Sequence, residues 1–92
     1  MSGLENKVAL VTGSARRIGA VIVRTLHEEG ANVVVHYRSS SEAAKALCAE
    51  LNNVREHSCM MVQGDLTDIA TLAMMIEEII KKMGQLDILV NN

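Results

Sequence analysis

The sequence predicts an α/β protein built on a doubly wound parallel sheet. Short continuous apolar runs, such as Val8-Ala9-Leu10-Val11 and Val33-Val34-Val35, alternate with longer stretches of helical apolar spacing, so the element order reads βαβαβαβ. Strands that are apolar throughout are covered on both faces, and right-handed helical crossovers force them parallel, in the order 3-2-1-4. Aromatic residues make up 1% of a chain that is 49% hydrophobic, so aliphatic side chains must fill thin layers.

The first strand reads from Lys7 to Thr12. A helix follows from about Arg17 to Glu29, with Ile18, Val21, Ile22, Thr25 and Leu26 spaced three and four apart on its inner face. Gly30 ends it as a left-handed cap. Asn32 to Tyr37 is the second strand. Ser40 or Ser41 then caps a helix that carries Ala44, Leu47, Cys48 and Leu51 on one face and stops at Asn52-Asn53. Cys59 to Gln63 forms the third strand. Thr67 or Asp68 starts a helix through Ile69, Leu72, Ile76, Ile79 and Met83, with Lys81 and Lys82 at its negative end and Gly84 closing it. Leu86 to Val90 is the fourth strand.

A chain of 92 residues builds one domain or part of one, and no linker, repeat or low-complexity stretch divides it. A net charge of −2 without a basic tract, and almost no rings to stack on bases, argue against a nucleic-acid partner. No apolar run approaches the ~20 residues of a membrane helix. The start, Met1-Ser2-Gly3-Leu4-Glu5-Asn6, has no signal-peptide core, so a cytoplasmic protein is expected. Cys48 and Cys59, in a predicted helix and a predicted strand, read as small core residues rather than as a C-x-x-C pair. His27, His36 and His57 read as scattered over a helix surface, a strand end and a loop, without metal-ligand spacing, so no metal is expected.

Three constellations fall at the carboxyl ends of the strands, where open α/β sheets bind ligands. The first is Thr12-Gly13-Ser14-Ala15-Arg16-Arg17-Ile18-Gly19, a turn between a strand and a helix. It aims unpaired N–H groups and the positive end of the helix dipole at one point, which suits the phosphates of a dinucleotide. Gly13 permits the tight turn and Gly19 close helix packing, while Ser14 and Ala15 leave room for phosphate. Arg17 stands where the middle glycine of the usual pattern would be. The second constellation is His36-Tyr37-Arg38-Ser39-Ser40, about 20 residues beyond the turn, where NAD-binding proteins place an acid for the ribose 2′-hydroxyl. Here Arg38, Ser39 and Ser40 offer a fork and hydroxyls suited to a 2′-phosphate, so NADP(H) is the expected cofactor, with Arg16 reaching the same phosphate. The third is Gly64-Asp65-Leu66-Thr67, where Asp65 either accepts the adenine amino group or helps cap the next helix.

These residues resemble the N-terminal, Rossmann-like cofactor-binding part of the short-chain dehydrogenase/reductase family. The family's first turn reads T-G-x-x-x-G-x-G, its third strand ends in an Asp-containing segment, and its fourth runs into N-N-A-G or N-N-A-S. Thr12, Gly13 and Gly19 match the first motif, Asp65 the second, and Asn91-Asn92 the start of the third. The resemblance implies that Ile18, Leu66 and Asn91 also border the cofactor, with Tyr37 beside its adenosine. It implies an NADPH-dependent oxidoreductase acting on a small molecule, and usually a tetramer.

Arg17, with His36-Tyr37 and the nearby Arg38-Ser39, is similar to the pteridine reductases, which implies a dihydropterin substrate with Arg17 over the cofactor diphosphate. Tyr37-Arg38-Ser39-Ser40-Ser41-Glu42-Ala43-Ala44 is also similar to 3-oxoacyl carrier-protein reductases, the alternative reading. The family's Tyr-x-x-x-Lys pair has no match, since Tyr37 is the only tyrosine and Ser41 stands four residues on. No catalytic residue is assigned. A sheet whose fourth strand is bare is expected to be the N-terminal part, residues 1–92, of a longer single domain, inactive alone. A non-catalytic nucleotide-binding module, its bare strand covered by a partner, is the reading from a different class.

Overall fold

A computed structural model describes residues 3–92; Met1 and Ser2, the first residues of the start searched above for a signal peptide, lie outside the described residues. The elements are β1 (Val8–Val11), α1 (Arg17–Glu28), β2 (Asn32–Tyr37), α2 (Ser41–Val54), β3 (Cys59–Gln63), α3 (Ile69–Met83) and β4 (Ile88–Val90). All strand pairs are parallel and the order is β3-β2-β1-β4, the doubly wound, Rossmann-like sheet that the sequence predicts. Val11 lies opposite Val35 on one side and Val90 on the other, so β1, β2 and β4 open together at one edge of the sheet. Among the described residues no helix is long and apolar enough to cross a membrane.

Alternation along each strand divides the core in two. Val11, Val33 and Val35 face Val23 and Leu47 of α1 and α2, while Val8, Leu10 and Val34 face Met75 and Ile79 of α3. The inner faces of two helices differ in part from those expected, although Ile22 and Leu26 of α1 pack on the core. In α1, Ile18 and Val21 are 71% and 60% exposed and Thr25 is exposed too, while Gly19, Ala20, Val23 and His27 are buried. The helix starts so close to the sheet that only small residues fit beneath its first turn, which rotates the buried stripe away from the bulkier side chains. In α3 Ile79 is buried and Leu72, Ile76 and Met83 are half-buried as expected, Met75 joins them, and Ile69, at the start of the helix, is 82% exposed.

Helix ends follow local chemistry. Gly30 (φ 103°) and Ala31 donate their N–H groups to the carbonyls of His27 and Leu26, the paired bonds of a left-handed helix cap. Asp68 caps α3 by accepting from the N–H groups of Ala70 and Thr71, and Gly84 (φ 87°) closes it. Ser40 is the residue before α2, but its hydroxyl makes no capping bond. Asn52 does not stop α2, which continues to Val54. Instead its amide ties the helix to β3, accepting from the N–H groups of Ser58 and Cys59 at 2.9 Å each and donating to the Cys59 carbonyl. Cys59 is buried and Cys48 half-buried, both as free thiols, and burial pushes the Cys59 thiol well above its ordinary range.

His27 lies inside the fold rather than on the helix surface. Its Nε2 is 2.7 Å from the Ser58 hydroxyl, whose own proton goes to the Arg55 carbonyl at 2.5 Å, so the imidazole donates. Arg55 in turn donates to the carbonyls of His27 and Ala31, joining the ends of α1 and α2. Burial, with the Arg55 charge added, lowers the His27 pKa below the ordinary histidine value. The unfolded chain therefore takes up this proton first as pH falls. Stability is full above about pH 6.5, the unfolded value, and declines as pH drops through it towards the depressed folded value. Urea unfolding of the wild type and His27→Gln from pH 7.5 to 5.0 is expected to show a shallower decline in the variant; parallel curves would contradict the assignment.

Candidate functional site

The site grows from the short connection between β1 and α1. The N–H of Thr12 donates to the Val90 carbonyl, so the chain is still in register with β4 when it turns. Gly13 then adopts φ 57°, where a side chain would be strained. Gly19, one turn into α1, comes down on this bend so closely that a Cβ would lie 2.6 Å from the Gly13 carbonyl oxygen and 2.7 Å from the Ser14 Cα. No side chain can enter that contact.

Close docking points the amino end of α1 at the carboxyl edge of the sheet. The first intrahelical bond runs from Ala20 N–H to the Arg16 carbonyl, leaving the N–H groups of Arg17, Ile18 and Gly19 without intrahelical acceptors. Arg16 makes no side-chain cap and the first turn holds no acidic residue, so the positive end of the dipole is unneutralised. Arg17 has φ 57°, a left-handed conformation that costs an ordinary residue about 1–2 kcal/mol.

A cleft of about 520 Å³ opens over this turn, lined by Gly13, Arg16, Arg17 and Ile18 on one side and by Tyr37, Arg38, Ser39 and Ser40 on the other. Arg16 and Arg17 have no carboxylate partner among the described residues, while Arg38 reaches the Asp65 carboxylate at 3.2 Å. Tyr37 is half-buried against the α1–α2 side of the core. The site thus joins the first and second sequence constellations directly, and the third through the Arg38–Asp65 pair. Leu66 is 38% exposed and, like Asp65 itself, lies outside the cleft lining.

Asp65 does not cap α3; Asp68 does. Asp65 accepts instead from the N–H and hydroxyl of Thr67, and these bonds, with the Arg38 charge added, hold its carboxyl below the usual carboxylate range. Ser14 is fully buried, its hydroxyl accepting from His36 N–H and its own N–H donating to the His36 carbonyl. Its side chain therefore supports the turn from within rather than lining the cleft. Asn91 accepts from the Thr12 hydroxyl at 3.3 Å.

Ala15, His36 and Asn92 line the cleft and were absent from the expected site residues. Asn92 donates from its side chain to the Gly13 carbonyl and from its backbone to the Thr12 hydroxyl, bracing the turn from the β4 side. The signal for His36 was its position, a polar residue inside an otherwise apolar strand. Among the described residues no group of three potential metal ligands comes together.

A family model described as short chain dehydrogenase matches residues 7–92. The chain is 40% identical over 92 residues to an uncharacterized oxidoreductase of Methylorubrum extorquens, covering all of this chain and 37% of the relative. It is 36% identical over 102 residues to pteridine reductase 1 of Leishmania tarentolae, covering 92% and 35% of the two chains. It is 41% identical over 86 residues to the 3-oxoacyl-[acyl-carrier-protein] reductase of Staphylococcus aureus, covering 94% and 35%. The chain spans just over a third of the length of these curated relatives.

Two substitutions test the backbone geometry of the turn. Gly19→Ala is expected to cost about 1–3 kcal/mol, since only backbone can move to admit the methyl group. Arg17→Gly is expected to raise stability by about 0.5–1 kcal/mol, the relieved strain less the added freedom of glycine in the unfolded chain. Denaturant unfolding measures both, and a neutral Gly19→Ala or a destabilised Arg17→Gly would contradict the geometry.

Proposed function

We infer that this chain, which belongs to the short-chain dehydrogenase family, forms the dinucleotide-holding part of an NADPH-dependent oxidoreductase. One observation carries the reading: three guanidinium groups, Arg16, Arg17 and Arg38, line the same cleft as the Gly13–Gly19 turn and the uncapped amino end of α1. Anionic groups fit such a cradle, and a Cβ at Gly19 would force the start of α1 away from the turn that forms it. The N–H groups from Arg17 to Gly19, with the side chain of Arg17, hold the diphosphate, while Arg16 reaches towards the 2′-phosphate. Ile18 borders it, and Gly13, Ser14 and Asn91 fix the turn beneath it. Arg38, Ser39 and Ser40 take the 2′-phosphate, because β2 ends in a cation and hydroxyls rather than an acid. Tyr37 flanks the adenosine, and Asp65 with Leu66 bounds the adenine. When bound, NADPH supplies a hydride.

The substrate reading is a dihydropterin, supported by Arg17 in the place of a glycine and by the likeness to a pteridine reductase. A 3-oxoacyl thioester is the second reading, supported by the comparable identity to the S. aureus enzyme. The proton donor lies outside these 92 residues, since Ser41, not lysine, stands four residues after Tyr37, and the 92 residues alone are inactive. The full-length protein acts in the cytoplasm as a homo-oligomer, a tetramer by family likeness.

Arg38→Asp in the full-length protein is expected to raise the Kd for NADPH at least about tenfold and that for NADH by no more than about twofold, since a charged hydrogen bond to phosphate is replaced by repulsion. Titration with each cofactor checks this, and equal losses would remove the NADPH preference. With NADPH saturating, Arg17→Gly is expected to cut dihydropterin reduction at least about tenfold, the scale of losing one charge-assisted contact near the pterin, and to spare 3-oxoacyl reduction. Steady-state assays with both substrates decide, and intact pterin turnover in the variant would sink the pterin reading.

A further inference from the structure

Among the residues that line the cleft, His36 ties together the most of its backbone. The His36 N–H donates to the Ser14 hydroxyl at 3.1 Å, and its carbonyl accepts from Ser14 N–H at 2.9 Å. The imidazole adds two further bonds, with Nδ1 2.9 Å from Gly13 N and Nε2 2.9 Å from the Gly64 carbonyl oxygen. A carbonyl only accepts and a backbone N–H only donates. The ring is therefore neutral with its proton on Nε2, and no other protonation state satisfies both contacts.

Both partners are glycines, and neither has a side chain of its own to fix its position. Gly13 sits in the left-handed turn beneath the cleft. Gly64 follows β3 and packs closely under α3, where a Cβ would lie 2.6 Å from Met75 Sδ and 2.8 Å from Thr71 Cγ2. The ring is 4% exposed, so no water replaces either bond at low cost. Between them, these contacts span two parts of the cofactor reading above: the turn under the diphosphate and the Gly64-Asp65 segment beside the adenine.

We propose that His36 is a positioning residue for the dinucleotide: by bridging Gly13 N–H and the Gly64 carbonyl, its imidazole locks the phosphate turn to the end of β3 and sets the separation of the diphosphate and adenine subsites. The proposal rests on the NADPH reading and adds to it. His36 touches no ligand in this role; it acts through the two glycines. Because Gly13 and Ser14 both spend their N–H groups on residue 36, the donors left for an anion are those at the start of α1.

The test compares His36→Leu and His36→Asn in the full-length protein. Leucine keeps the bulk and leaves Gly13 N–H unpaired, while the asparagine amide oxygen stands in for Nδ1. His36→Leu is expected to raise the Kd for NADPH about tenfold and His36→Asn no more than about threefold, as one buried unpaired donor implies. Binding of adenosine 2′-monophosphate, which carries no diphosphate, is expected to change less than about twofold in either variant. Nitrogen-15 spectra of the wild-type imidazole are expected to show the neutral Nε2–H tautomer, a readout that holds if the leucine variant does not fold. An Nδ1–H tautomer, a folded leucine variant with unchanged NADPH affinity, or equal losses for NADPH and adenosine 2′-monophosphate would overturn the proposal. A wild-type protein that shows the Nε2–H tautomer but binds no NADPH overturns the cofactor reading itself, and with it the role assigned to the bridge.

Discussion

The contact of Gly19 with the backbone of Gly13 and Ser14 is the constraint from which the rest of the site follows. A helix can begin this close to a strand end only if the touching residue has no side chain. Once it does, its free N–H groups and dipole converge on the edge of the sheet where three strands open together. The same closeness leaves a residue in the left-handed region at position 17. A glycine would sit there without strain. Arginine does so at a cost, and strain of this kind collects at functional sites because the surrounding structure over-determines the conformation.

The turn is suspended between its two neighbours in the sheet rather than supported from below. On the β2 side it hangs from His36, through one ring bond and two backbone bonds. On the β4 side Thr12, Asn91 and Asn92 hold it. These partners come from three separate parts of the chain, so the turn takes its shape only when β1 lies between β2 and β4. Polar residues at the strand ends are thereby consumed within the fold, and the charged groups left facing the cleft are guanidinium groups, with Asp65 held aside by Thr67 and Arg38.

The opposite end of α1 is built for a different purpose. There His27, Ser58, Arg55 and Asn52 satisfy the last carbonyls of α1 and the first N–H groups of β3 with few charges and no comparable array of free donors. No buried side-chain polar atom among the described residues lacks a partner. One end of the helix presents unsatisfied groups to solvent and the other has its groups satisfied internally, a division that leaves free donors at one edge of the sheet and a closed hydrogen-bond network at the other.

Much of this was legible in the amino-acid sequence. Continuous apolar runs named the strands, the glycine-bracketed turn named the edge where the cleft opens, and Arg38-Ser39-Ser40 named part of its lining, because each depends on residues close together in the chain. Helix phase was less legible. Ile18, Val21 and Ile69 read as inner positions by spacing, yet the true stripe of α1 is set by how closely its start docks, and Ile69 stands at the exposed start of α3, whose remaining face the spacing found. Asn52 read as a helix stop by type and proved a tie to β3. His27 and His36 read as isolated residues, because a histidine's meaning lies in its two ring partners, and those stand 31 and 28 residues away for Ser58 and Gly64. The sequence by itself determined the layers, their order and the place of the glycine-bracketed turn at the carboxyl edge of the sheet, which follow from local periodicity and backbone permission. Tertiary structure alone decided which polar groups meet, because hydrogen-bond partners are set by where the sheet brings distant strand ends together.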